Sequence, residues 1–155
     1  MSEIEQLRLH LRKRFIILLL PPGIILAGLE IARVPGAFES LPYVDHPTWD
    51  MVLFVFAVLF AVALPLLYRM LFANAHRSKT VVALGAFYRF ENNSMVVALF
   101  SAWIAVGASL IAVSGLYQIG IGALTLCTCI VFYPSRRRLV SEARTFRAGF
   151  PAAEK

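Results

Sequence analysis

Glu30 and Arg33 stand one helical turn apart near the end of the first long apolar run of the chain, and they are the first residues whose types could do chemistry. A carboxylate in apolar surroundings is costly enough to mark a candidate polar contact at Glu30; the competing reading is an ion pair with Arg33 that reaches out to water. Further on, Asp45, His46 and Asp50 offer oxygen and nitrogen ligands within one loop. Such residues more often serve as turn and cap residues, and Thr48 before an apolar run is a natural helix N-cap, so no metal site is expected. Cys127 and Cys129 flank Thr128 in an apolar run. Two residues apart on a helix they point about 200° apart, which excludes a shared ion and leaves them as small packing residues. The remaining candidates are cations. Arg77, Lys79 and Arg89 in one polar interval and Arg136, Arg137 and Arg138 in another could contact an anion or a lipid head group. The chain has no glycine-rich phosphate loop, no H-E-x-x-H and no G-x-S-x-G, so no catalytic residue and no cofactor is assigned.

The elements that must position these residues follow from composition. Of the 155 residues 59% are hydrophobic and only 15% are charged, and the mean hydropathy is +0.74. A soluble enzyme and a disordered chain are both excluded, because the apolar residues come in runs of bilayer length. Residues 15–32 and 51–72 form two such runs. Between Glu91 and Arg136 there is no charged residue, and Ser114-Gly115 divides that stretch into residues 95–113 and 116–134, a tight antiparallel hairpin. The reading is an all-α integral membrane protein of one domain, residues 1–155, with four transmembrane helices in a bundle and a basic tail over 135–155. A cleaved leader at the first run is disfavoured by Pro21-Pro22 and by the lack of a small-residue cleavage site after it.

Orientation follows from the cations. Fourteen of the 15 Lys and Arg residues fall in the N-terminal arm, the 73–94 interval with adjacent Arg69, and the tail; Arg33 alone falls on the other side. Positive charge is retained on the cytoplasmic face, so both termini are expected inside. In the cytoplasmic 73–94 interval Val81, Val82, Leu84, Phe87, Tyr88 and Phe90 recur with helical spacing among charges, which predicts an interfacial amphipathic helix. Anionic lipids are the expected partners of this basic face, and nucleic acid is not. Twelve Arg against 3 Lys suggests a GC-rich genome and hence a bacterial inner membrane.

Two features bear on packing. Ala98, Ser101, Ala105, Ala108, Ala112 and Gly115 form a small-residue stripe on the third span, matched on the fourth by Gly120 and Ala123. Small faces let membrane helices approach closely, within one chain or between subunits. Pro21 and Pro22 in the first span and Pro65 in the second each remove a backbone donor, which predicts broken helices at similar depth. The expectation is a non-catalytic subunit or scaffold of a membrane complex, bound to itself or to other membrane proteins through helix packing. The rival readings are a small oligomeric channel or transporter with a passage near the prolines, and an interfacial enzyme or anion sensor on the basic face, assembled from loop residues such as Arg77, Arg89, Glu91 and Asn92 with Arg136, Arg137 and Arg138.

Overall fold

The computed structural model describes residues 3–33, 47–77, 81–111 and 113–148. Helices α1 (Glu3–Arg33), α2 (Pro47–Val58), α3 (Leu64–Ala75), α4 (Leu84–Leu110), α5 (Gly115–Phe132) and α6 (Arg136–Thr145) follow in order, and a π-helical turn, Leu59–Ala63, joins α2 to α3. Among the described residues there is no strand, only an isolated bridge between Val82 and Ala148. Four stretches are long and apolar enough to cross a membrane: Glu5–Ala32, Thr48–Ala75, Leu84–Leu110 and Gly115–Phe132.

These helices divide their burial unequally. In α4, 61% of the most apolar window is buried inside the protein, against 11% in α1 and 17% in each of the other two. α4 is therefore the axis of the bundle, packed against α1, α2, α3 and α5, while the outer helices turn Ile16, Ile24, Val55, Leu116 and Ile130 outward. The reason lies in its side chains. Ala98, Ser101, Ala102, Ala105, Ala108 and Ser109 are all buried, and their small volume lets neighbouring backbones close in on α4 from several sides. Hydroxyls in this dry contact are satisfied by helix backbone: Ser101 Oγ donates to the Ala98 carbonyl at 2.8 Å and Thr125 Oγ1 to that of Ile121 at 2.9 Å.

At one end of the bundle Ala57, Ile104, Ala105, Ala108, Val113 and Ile121 make a core cluster, flanked by Phe54, Phe60 and Tyr117. The α4–α5 turn there is closed by the Val113 amide donating to the Ala108 carbonyl at 3.1 Å. Asp50, buried in the first turn of α2, accepts from the Ser114 amide at 3.1 Å and so ties α2 to that turn. At the opposite end Phe87, Phe90, Ala143 and Ala148 form another cluster. Phe90 stacks on Phe72 and Tyr68 with centroids 4.3 and 5.6 Å away, and Phe146 meets Phe72 and Phe90 edge-on. That aromatic box clamps the end of α6 under the bundle, helped by the Val82 amide donating to the Arg147 carbonyl at 3.0 Å.

Several expectations are corrected. The residues expected to form a separate interfacial helix within 73–94 instead begin α4, which runs unbroken from Leu84. Phe87, Phe90 and Glu91 are buried there, because the docked α6 supplies the cover that a membrane surface was expected to supply. The first span is not broken at its prolines either: α1 continues through Pro21 and Pro22, of which Pro22 is fully buried. Proline's fixed φ is helical, so the cost is lost donors and local crowding, which packing can outweigh. Pro65 is accommodated differently. The turn before it widens, with the Leu64 amide reaching five residues back to the Leu59 carbonyl, which relieves the clash its ring would make one turn back.

Candidate functional site: a charged cavity between the helices

α5 packs along α2 and reaches the π turn. Beyond that point α3 and α5 diverge, and the gap between them is a cavity of about 260 Å³. Its walls are largely apolar, with Ala61 and Val62 from the π turn, Pro65 and Leu66 from α3, and Leu124, Cys127 and Val131 from α5, and they carry two hydroxyls, Ser94 of α4 and Thr128 of α5. Its far end is ionic, with Arg69 from α3, Glu91 from α4, and Arg138 and Glu142 from α6. A small-molecule site ordinarily combines such an apolar lining with a few convergent polar groups, in roughly 300–1,000 Å³. This one lies just below that range and suits a small head group with part of a single chain.

Each charged side chain is positioned by its own element. Glu91 sits between Phe90 and the Asn92-Asn93 pair of α4; Asn92 accepts from Arg14 of α1 at 3.0 Å, and Asn93 donates to Tyr68 Oη at 3.3 Å. The start of α6 is set by Ser135, whose Oγ caps the helix by accepting from the Arg138 amide at 3.2 Å. One turn of helix then places Arg138 and Glu142 on the same face. Arg138 also lies over the Phe132 ring, 5.0 Å from its centroid, and Arg69 over Phe146 at 5.4 Å.

The four charges alternate. Arg69 Nη1 donates to Glu142 Oε1 at 2.7 Å, Arg138 Nε lies 4.0 Å from that same oxygen, and Arg138 Nη2 donates to Glu91 Oε2 at 2.8 Å. Two carboxylates and two guanidiniums cancel in formal charge, which is how charge is tolerated beside apolar helices. The cancellation is incomplete in hydrogen bonds. Glu91 Oε1 and Glu142 Oε2 are buried and meet no donor among the described residues. A buried acceptor without a donor carries a desolvation cost of about 1–3 kcal/mol, and more for a charged group. Both oxygens are sealed inside the charge cluster and do not open onto the cavity surface.

The residues singled out from sequence scatter around this site. Of the Arg triplet, Arg138 turns inward, while Arg136 and Arg137 are exposed on the outer face of α6 with Arg144. Arg77 and Arg89 are exposed as well, and Lys79 lies outside the described residues. Glu30 is exposed near the end of α1 away from α6, and the Arg33 side chain, Asp45, His46 and Ala112 also lie outside the described residues. Pro65 lines the cavity; Pro21 and Pro22 do not. The packing stripe divides too: Ala98, Ser101, Ala105 and Ala108 are buried against neighbouring helices, whereas Gly115 and Ala123 are exposed. Gly120 is a close approach, where a Cβ would stand 2.8 Å from Phe54 Cε2.

Sequence reasoning set Glu91 near the Arg136–Arg138 cluster only as part of the rival interfacial-enzyme reading, and it passed over Glu142. One signal was present: Glu91 is the only acidic residue between Asp50 and Glu142, set among aromatic residues at the edge of a long apolar run. A lone carboxylate there calls for a partner, and Arg138 with Glu142 one turn later offers one. Compared with known protein families, curated proteins and solved structures, the chain matches none.

Proposed function

We propose that this protein is a non-catalytic membrane protein that binds a single-chain amphiphile, with the polar head at the Glu91–Arg138–Glu142–Arg69 cluster and the chain against α3 and α5. The observation that carries this reading is the cavity's polarity: largely apolar walls lead from the outer surface of the bundle to an end lined by Arg69, Glu91, Arg138 and Glu142. Val62, Leu66 and Val131 are exposed at its rim, so a chain could enter sideways from the hydrocarbon. Given the cation bias, the termini and α6 are cytoplasmic and the cavity opens into the inner leaflet, in a bacterial inner membrane. Arg136, Arg137 and Arg144 then face anionic head groups from the exposed side of α6. Assembly through the small face of α4 has less to support it, since Ala98, Ser101, Ala105 and Ala108 are occupied within the chain.

The reading is tested by native mass spectrometry of the full chain released from phosphatidylcholine nanodiscs doped with dodecyl amphiphiles of differing head group. At least one head group should bind saturably at one copy per protein, and Leu66→Trp and Val131→Trp, which fill the cavity from its rim, should reduce that occupancy at least tenfold. Absence of saturable binding for every head group, or unchanged occupancy in both variants, overturns it.

A further inference from the structure

Hydroxyls on these helices ordinarily turn back on their own backbone. Ser101, Thr125, Thr128 and Thr145 each donate to a carbonyl three or four residues earlier, at 2.8 or 2.9 Å. Ser94 departs from that pattern. Its residue is only 5% exposed, yet its Oγ makes no hydrogen bond among the described residues. Nor is that oxygen one of the sealed polar atoms: Ser94 lines the cavity, and its hydroxyl opens into it. A buried hydroxyl without a partner is unfavourable until something entering the cavity supplies one.

We infer that Ser94 sets the specificity of this cavity by donating to an acceptor oxygen that the bound amphiphile carries where its head joins its chain. The inference rests on the amphiphile-binding reading. Ser94 follows Glu91 by one turn of α4, which sets it inward from the charged end, towards the apolar walls. The carboxylates beside it are already committed. Glu91 Oε2 and Glu142 Oε1 receive guanidiniums at 2.8 and 2.7 Å, and the other two oxygens are sealed from the cavity. The Thr128 hydroxyl proton is committed as well, to the Leu124 carbonyl. What the lining still offers is therefore donors: the Ser94 hydroxyl and the N–H groups of Arg69 and Arg138 beyond those two ion pairs. The two acids and two guanidiniums cancel in formal charge, so recognition turns on the direction of the hydrogen bond and not on the sign of the ligand. An ester carbonyl, a carboxylate and a phosphate ester all present the required oxygen.

The test titrates radiolabelled probes into wild-type and Ser94→Ala full-length protein in phosphatidylcholine nanodiscs, reading label bound above that of protein-free nanodiscs. Methyl dodecanoate, dodecanoate and dodecyl phosphate carry the acceptor with and without charge; dodecylammonium carries only donors, and tetradecane neither. At least one acceptor probe should bind at least fivefold more tightly than both dodecylammonium and tetradecane, and whichever of the three binds most tightly identifies the source of the oxygen. Ser94→Ala should weaken that probe roughly fivefold, the worth of one hydrogen bond, and leave tetradecane unchanged within about twofold. Because the Ser94 hydroxyl bonds to nothing in the protein, the substitution should also leave the unfolding temperature unchanged. Acceptor probes that bind no more tightly than tetradecane or dodecylammonium overturn the inference and leave amphiphile binding standing, as would be found if water met the Ser94 hydroxyl. An equal effect of Ser94→Ala on every probe, no effect on any, or a large fall in unfolding temperature overturns it as well, by giving the hydroxyl a structural role or none. If no probe binds saturably, the amphiphile reading falls with it.

Discussion

The two ends of α4 solve the same problem in opposite ways. At the α4–α5 turn a single buried carboxylate, Asp50, receives the Ser114 amide, and the helices around it close on small residues such as Ala105 and Ala108. At the α6 end, Glu91 and Glu142 receive guanidiniums, and the neighbours are large: Phe87, Phe90, Tyr68 and Phe72. Small side chains bring backbones together and leave no room beside the axis. Rings and ion pairs hold helices apart, and between α3 and α5 the separation becomes a cavity. The bundle is thus close-packed where it is held by volume and hollow where it is held by charge.

The sharpest way to break this contrast is at the charged end. Arg138→Ala should lower stability by about 3–5 kcal/mol, because Glu91 is left as an uncompensated buried charge. Thermal unfolding in detergent measures this, and Glu91→Gln with Arg138→Met should recover most of the loss. Full recovery would mean that the pair contributes little net stability and matters chiefly for the site. At the other end Asp50→Ala should cost about 1.5–3 kcal/mol, the worth of a hydrogen bond to a charged acceptor. Asp50→Asn keeps an acceptor for the Ser114 amide and should cost less, so equal losses for the two substitutions would show that the hydrogen bond is not what Asp50 contributes.

Overpacking separates the two regimes next. Ala105→Leu and Gly120→Ala both insert volume where helices touch, and each should destabilise by about 1–3 kcal/mol. Phe54→Leu should relieve Gly120→Ala, since the Phe54 ring is what the added methyl meets. Gly115→Ala meets nothing within 4 Å, and Ala123 is exposed, so Gly115→Ala and Ala123→Leu should change stability by no more than about 0.5 kcal/mol. The smallest effect belongs to the exposed side of α6. Arg136→Ala and Arg137→Ala should leave unfolding unchanged within about 0.5 kcal/mol while weakening association with anionic vesicles. A large loss of stability there would mean that the triplet acts as one structural unit and not as an inward arginine with two outward neighbours.

Much of the architecture was legible because a bilayer imposes its thickness on a chain one residue at a time. Runs such as residues 51–72 and 116–134 declare themselves by length and lack of charge. The start of α4 did not, since Arg89 and Glu91 interrupt the hydropathy and read as a polar interval; the helix is nevertheless continuous through them because α6 covers that face. The prolines misled in the same way. A missing donor is a local fact, while the packing that carries α1 past Pro21 and Pro22, and the wide turn that admits Pro65, are properties of the neighbourhood.

Helicity, the four apolar stretches, the supply of small residues on α4 and the crowding of cations into three intervals belong to the sequence alone, since each depends on the affinity of short segments for water or hydrocarbon. Which arginine of the triplet turns inward, which part of the small stripe is buried and where a cavity opens were decided only by the tertiary structure. The Glu91–Arg138 pair spans 47 residues. No local preference specifies such a contact, which exists because α6 folds back beneath α4 and leaves Glu91 an arginine as its hydrogen-bond donor.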